Sequence, residues 1–156
     1  MSNDQKLTRQ MINDALGKKI SSKEFIAITD ILGEPEIRTD IESDITDYIW
    51  DRHGISIVLS CETGIFQNIF FYPNGSTSKL EYINDKKPCA SICKENDFDQ
   101  NLTMQEVRDK YGEPDAEGKG YPRHGLLYRN INGIVMRFVF TNETELHFIM
   151  LGQRNT

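Results

Sequence analysis

The chain has 156 residues, 38% of them hydrophobic and 10% aromatic, with a formal net charge of −6. This composition is too apolar for disorder and sufficient for one compact unit that buries roughly 70% of its unfolded surface. The acidic balance argues against a nucleic-acid footprint, which needs clustered Lys and Arg. No apolar run approaches the ~18 residues of a membrane span.

Along the chain, Leu7, Met11 and Leu16 fit a helix, but the segment also fits a strand and turn, and both readings stay open. Because residues 1–20 lack a continuous apolar stretch, the expectation is a soluble, cytoplasmic protein without a membrane partner. Phe25, Ile28, Ile31 and Leu32 then form an apolar stripe at helical spacing, stopped by Gly33 and Pro35. After an acidic loop the period changes to alternation. Residues 48–50, 55–59 and 65–72 read as three antiparallel strands, with turns at His53-Gly54 and Thr63-Gly64.

A further strand-like run, "KLEYI", precedes an aperiodic connection over residues 86–102. Thr103 to Glu106 has the form of a capping box, and Val107 and Tyr111 continue it as a helix that Gly112 and Pro114 end. Strands follow at residues 126–128, 134–140 and 146–151, joined by turns at Asn132-Gly133 and Asn142-Glu143. Asn-Gly is a strong hairpin signal.

The two halves match. Gly33 and Gly112 lie 79 residues apart, and the same offset places Asp30 on Asp109, Glu34 on Glu113, Pro35 on Pro114 and Gly54-Ile55 on Gly133-Ile134. The expectation is therefore an α+β protein made of two tandem copies, residues 4–77 and 78–156, each a short helix packed on an antiparallel meander. The G-E-P triplet is a helix stop used twice, since lone glycines make a weak phosphate cradle.

A helix ending in (L/Y)-G-x-P, then an aromatic strand and a hairpin, resembles the tandem modules of the β-lactamase-inhibitor-protein-like (BLIP-like) fold. The residues concerned are Leu32, Gly33, Pro35, Trp50 and Gly54 in one copy and Tyr111, Gly112, Pro114, Tyr128 and Gly133 in the other. The single module also resembles small bacterial outer-membrane assembly lipoproteins. The resemblance implies a protein-binding scaffold, and compact acidic members of this kind are similar to bacterial toxin-immunity proteins. The expectation, in departure from the secreted inhibitors and from the lipoproteins, is a chain with neither a signal peptide nor a lipid-attachment cysteine.

What one copy has and the other lacks is a candidate for function. From Asp30 to Asp51 there are eight acidic residues against Arg38 alone; from Asp109 to Asn130 four acidic residues face four basic ones. One reading of the excess is a solvated loop. Another is a docking surface in which Asp40, Glu42, Asp44 and Asp47 steer a basic toxin or effector domain. Tyr48 and Trp50 border the loop as candidate aromatic anchors, or as core residues matched by Tyr128. "DIESDITD" lacks the central glycine and terminal glutamate of a calcium loop.

Catalytic candidates are thin. His53 beside Asp51 has no partnered nucleophile, Ser60 and Cys61 lack a motif, and "EGKGYP" is an ordinary loop. Cys61, Cys89 and Cys93 form no zinc spacing and are expected as reduced thiols, although a link between Cys89 and Cys93 is sterically conceivable. No catalytic residue, metal or cofactor is expected. The leading function is a non-enzymatic inhibitor of the immunity type; the alternatives are an accessory module of a larger complex and a small hydrolase.

Overall fold

The computed structural model describes residues 7–50, 53–72, 102–119, 123–141 and 145–153. Strand "KLEYI", the connection at 86–102 except Leu102, the copy boundary near residue 77, Asp51, Cys89, Cys93 and the Asn142-Glu143 turn lie outside these.

The N-terminal segment is a helix, α1 (Arg9–Ala15), started by Thr8, whose side chain accepts from the Met11 N–H. Helix α2 (Lys23–Leu32) starts at Ser22, whose hydroxyl accepts from the Phe25 N–H, and buries Phe25, Ile28 and Leu32. Helix α3 (Met104–Tyr111) has the full capping box: the Thr103 side chain takes the Glu106 N–H, and the Glu106 carboxylate takes the Thr103 N–H. Gly33 and Gly112 end α2 and α3 at φ 87° and 82°, where a side chain is strained.

The strands are β1 (Glu36–Asp40), β2 (Ile45–Trp50), β3 (Ile55–Ser60), β4 (Phe66–Phe71), β5 (Ala116–Gly118), β6 (Arg123–Ile131), β7 (Ile134–Thr141) and β8 (Glu145–Gln153). Asn132 and Gly133 both have positive φ, as a two-residue type I′ hairpin turn requires. The acidic segment expected as a loop is instead the hairpin of β1 and β2.

The expectation of two helix-on-meander units is corrected. Among the described residues the strands form one antiparallel sheet of eight in the order β1-β2-β3-β4-β8-β7-β6-β5. Separate meanders would each leave a long apolar strand with unpaired backbone on one side. Here those two strands, β4 and β8, pair with each other through Asn68↔Gly152, Ile69↔Leu151, Phe70↔Met150 and Phe71↔Ile149. A Cβ at Gly152 would lie 2.5 Å from Asn68 Oδ1, so any larger residue there would have to displace the Asn68 side chain. A single hydrophobic cluster runs through both halves and all three helices. The content is α+β, but the sheet dominates.

Two adjacent cross-strand rows on the helix-covered face show how the halves correspond. One reads Ile37, Tyr48, Ile57, Ile69, Leu151, Met136, Tyr128 from β1 to β6; the other reads Glu117, Leu126, Phe138, Ile149, Phe71, Ile55, Trp50 from β5 to β2. Read in opposite directions, they pair Ile37 with Glu117, Tyr48 with Leu126 and Trp50 with Tyr128.

Candidate functional site

Trp50 and Tyr128 do the same work. The Trp50 indole N–H donates to the Gly33 carbonyl at 2.8 Å, and the Tyr128 hydroxyl donates to the Gly112 carbonyl at 2.8 Å. Each ties a helix end to the sheet, and both side chains are buried. Trp50 is therefore inside the core, out of reach of a partner. Tyr48 is half-buried between Phe25 and Trp50, at ring-centroid distances of 6.1 and 6.2 Å.

The four acidic candidates separate. Asp40 caps the hairpin turn, accepting from the Glu42 N–H, the Ser43 N–H and the Ser43 hydroxyl. Asp44 has φ 55° and accepts from the buried Ser60 hydroxyl at 2.9 Å and the Glu62 N–H at 2.9 Å. Asp47 stands between Arg38 and Val58 on the sheet face away from the helices. Its burial raises its carboxyl above the ordinary aspartate value against the pull of Arg38. Of the four, only Glu42 has an exposed side chain with no described hydrogen-bond partner.

The larger difference between the halves lies at the helix-to-edge-strand seam. In the second half, Arg108 of α3 reaches Glu117 of β5 at 2.8 Å and also pairs with Glu113. The Glu117 carboxylate takes a further hydrogen bond from His124. Arg108, then His124, hold Glu117 below the ordinary glutamate value, and Arg108 is raised in turn, first by Glu117. The seam is bolted shut by charge.

In the first half the counterpart of Arg108 is Thr29: each carbonyl accepts from the glycine that ends its helix, Gly33 or Gly112. The counterpart of Glu117 is Ile37. Thr29 and Ile37 cannot make the ionic bridge, and the seam is open. A groove of about 520 Å³ lies there, lined by Ile20, Phe25, Pro35, Ile37 and Tyr48, with Asp30 and Glu34 at its rim. Ile37 is 56% exposed, and Ile41, at the hairpin tip, 83%. With Ile20 and Ile26 these are the exposed large hydrophobics of the described residues, and all fall in the first half. Reading by charge density marked this region but missed the groove. The missed signal is the alternation in "EIRTD", a strand whose third and fifth members are charged and whose second is apolar.

The catalytic candidates gain no constellation. Cys61 Sγ lies 3.1 Å from Thr46 Oγ1 and 3.6 Å from the Asp40 carbonyl, neither of which is a general base. His53 is described, but its neighbour Asp51 is not. Half of "EGKGYP", residues 120–122, is likewise outside the described residues, and Glu117 serves the bridge. Among the described residues no group of three or more His, Cys, Asp or Glu is arranged to hold a metal ion, and no helix is long and apolar enough to cross a membrane.

No protein-family model matches the chain, and no curated protein matches it. It is similar in structure to an extracellular protein containing an SCP domain from Bacillus anthracis str. Ames, with 9% sequence identity and a TM-score of 0.57. The match covers 98% of this chain and 48% of the other, so the chain spans about half the length of that protein. At this identity the likeness is one of fold alone.

Proposed function

We propose that this protein is a non-catalytic binding module that blocks a basic partner protein, in the manner of an immunity protein with its toxin, and that the α2–β1 seam is where it binds. One observation carries the reading: the same scaffold, used twice in one sheet, closes this seam with Arg108 and Glu117 in one half and leaves it open, apolar and acid-rimmed in the other. A fold that tolerates the closed form has no structural need of the open one. Exposed apolar side chains beside like charges are a costly surface for a monomer and a useful one for a partner. Asp30, Glu34, Glu36 and Glu42 would steer a basic protein toward it, raising the association rate at low salt. The resemblance to BLIP-like modules, and a cytoplasmic site of action in which Cys61 stays reduced, belong to this proposal.

The test is co-expression with the product of the adjacent gene, followed by purification and an assay of that product's own activity. One-to-one capture with loss of activity supports the reading. A purified chain with turnover of its own, or a neighbour that is neither bound nor inhibited, contradicts it.

A further inference from the structure

We infer that β1 takes up an extended, basic segment of the partner as an added strand, seating one apolar side chain of that segment in the groove beside Ile37. This deepens the proposed function and rests on it. β1 is the terminal strand of the sheet among the described residues, and all five of its side chains are exposed, Glu36 and Arg38 also pairing with each other at 3.3 Å. The opposite edge, β5, is only three residues long, and its Glu117 is tied to α3. Strand addition supplies backbone hydrogen bonds for affinity and alternate side chains for specificity.

The side chains of β1 specify the occupant. On the face away from the helices it presents Glu36, Arg38 and Asp40, and on the helix face Ile37 and Thr39. A second copy is disfavoured: antiparallel self-pairing about Arg38 sets Arg38 against Arg38 and Glu36 against Asp40, like charges in direct opposition. An antiparallel visitor fits if it reads basic, polar, acidic, apolar, basic opposite Asp40, Thr39, Arg38, Ile37 and Glu36. Its apolar residue falls on the helix face next to Ile37, over the groove lined by Ile20 and Phe25. Charges alone on an edge strand serve to repel pairing. The bare Ile37 beside a groove works against that purpose, which is why the edge reads as a receptor.

The probe is a cyclic β-hairpin peptide whose outer strand is Lys-Thr-Glu-Val-Lys, pre-ordered to reduce the entropy cost of binding. Its binding to the full chain is followed by fluorescence anisotropy and by amide hydrogen exchange. The expected result is saturable binding that slows outward-facing β1 amides about tenfold or more. Binding should weaken about tenfold for the charge-reversed strand Glu-Thr-Lys-Val-Glu. Thr29→Arg with Ile37→Glu should weaken it comparably. Should that variant fold poorly, Arg38→Glu at an exposed site offers a second route: it should weaken the first peptide and recover binding to Lys-Thr-Lys-Val-Lys. Binding that leaves β1 exchange unchanged overturns strand addition. So does concentration-dependent dimerisation that protects β1 without peptide. If neither peptide binds while the whole partner does, this mode is wrong and the proposed function stands; if the partner also fails to bind, both fall.

Discussion

Arg108 holds Glu117 at 2.8 Å across the seam between α3 and β5, and at the corresponding seam between α2 and β1 Thr29 and Ile37 face an open groove. The relation predicts that the bridge is transplantable. Thr29→Arg with Ile37→Glu should close the first seam, abolish partner capture and leave the thermal midpoint within a few degrees, since both positions are outside the core. Circular dichroism melts alongside a pull-down check this, and capture that survives closure would remove the groove from the interface.

Acidification separates two carboxylates by sign. Glu117 is lowered in the folded state, so its contribution to stability is complete above the ordinary glutamate value and is lost as pH falls through the lowered one. Asp47 is raised, so its ionised form detracts from stability above the raised value, and the penalty disappears as pH falls through it. At neutral pH Glu117→Gln should therefore melt below wild type and Asp47→Asn above it, with both differences shrinking in acid. Urea denaturation across the acid range gives the two profiles; the same sign for both would refute the assignment.

The acidic hairpin residues should not be interchangeable. Asp44→Ala takes the acceptor from the buried Ser60 O–H and from the Glu62 N–H, and places alanine at positive φ, a cost of about 2 kcal/mol. Glu42→Gln touches no described side-chain partner and should leave stability within ~0.5 kcal/mol. Partner association should slow for Glu42→Gln and respond to salt. Stopped-flow mixing at two ionic strengths, beside denaturant titrations, tests both halves of this statement.

The paired bolts of the sheet give a further prediction. Tyr128→Phe removes only the hydroxyl that holds the Gly112 carbonyl, and should cost about 1 kcal/mol, or roughly 2–4 °C in melting temperature. Trp50→Phe loses both the bond to Gly33 and ring volume, and should cost more. If Tyr128→Phe melts with wild type, water satisfies that carbonyl and the bolt is idle.

The sequence reports well on whatever is settled by local hydrogen bonding. The capping box at Thr103 and Glu106, the G-E-P stops and the Asn132-Gly133 turn are each decided within a few residues, and each forms. The β4–β8 pairing joins residues about 80 apart, and nothing local distinguishes it from two closed meanders. β1 was hidden because its acidic residues resemble a solvated loop, whereas an edge strand exposes its side chains on both faces. The matching of Ile37 with Glu117 was hidden because Glu117 stands five residues after the glycine that ends its helix, Gly112, and Ile37 only four after Gly33, while a register shift between Tyr128 and Ile131 displaces Tyr128 from Trp50. A fixed offset of 79 sets Ile37 on Ala116 and Trp50 on Arg129, one place away from their counterparts in the sheet. The groove follows from that correspondence, so it became visible only in three dimensions.

Whether the open seam is the binding site is decided by isothermal titration of the partner encoded by the adjacent gene into wild type and into the Thr29→Arg, Ile37→Glu variant. Wild type should bind one-to-one, and closing the seam should cost about 100-fold or more in affinity, the scale of a hot spot of about 3 kcal/mol. Equal affinity for both proteins, with the variant folded, would contradict that assignment.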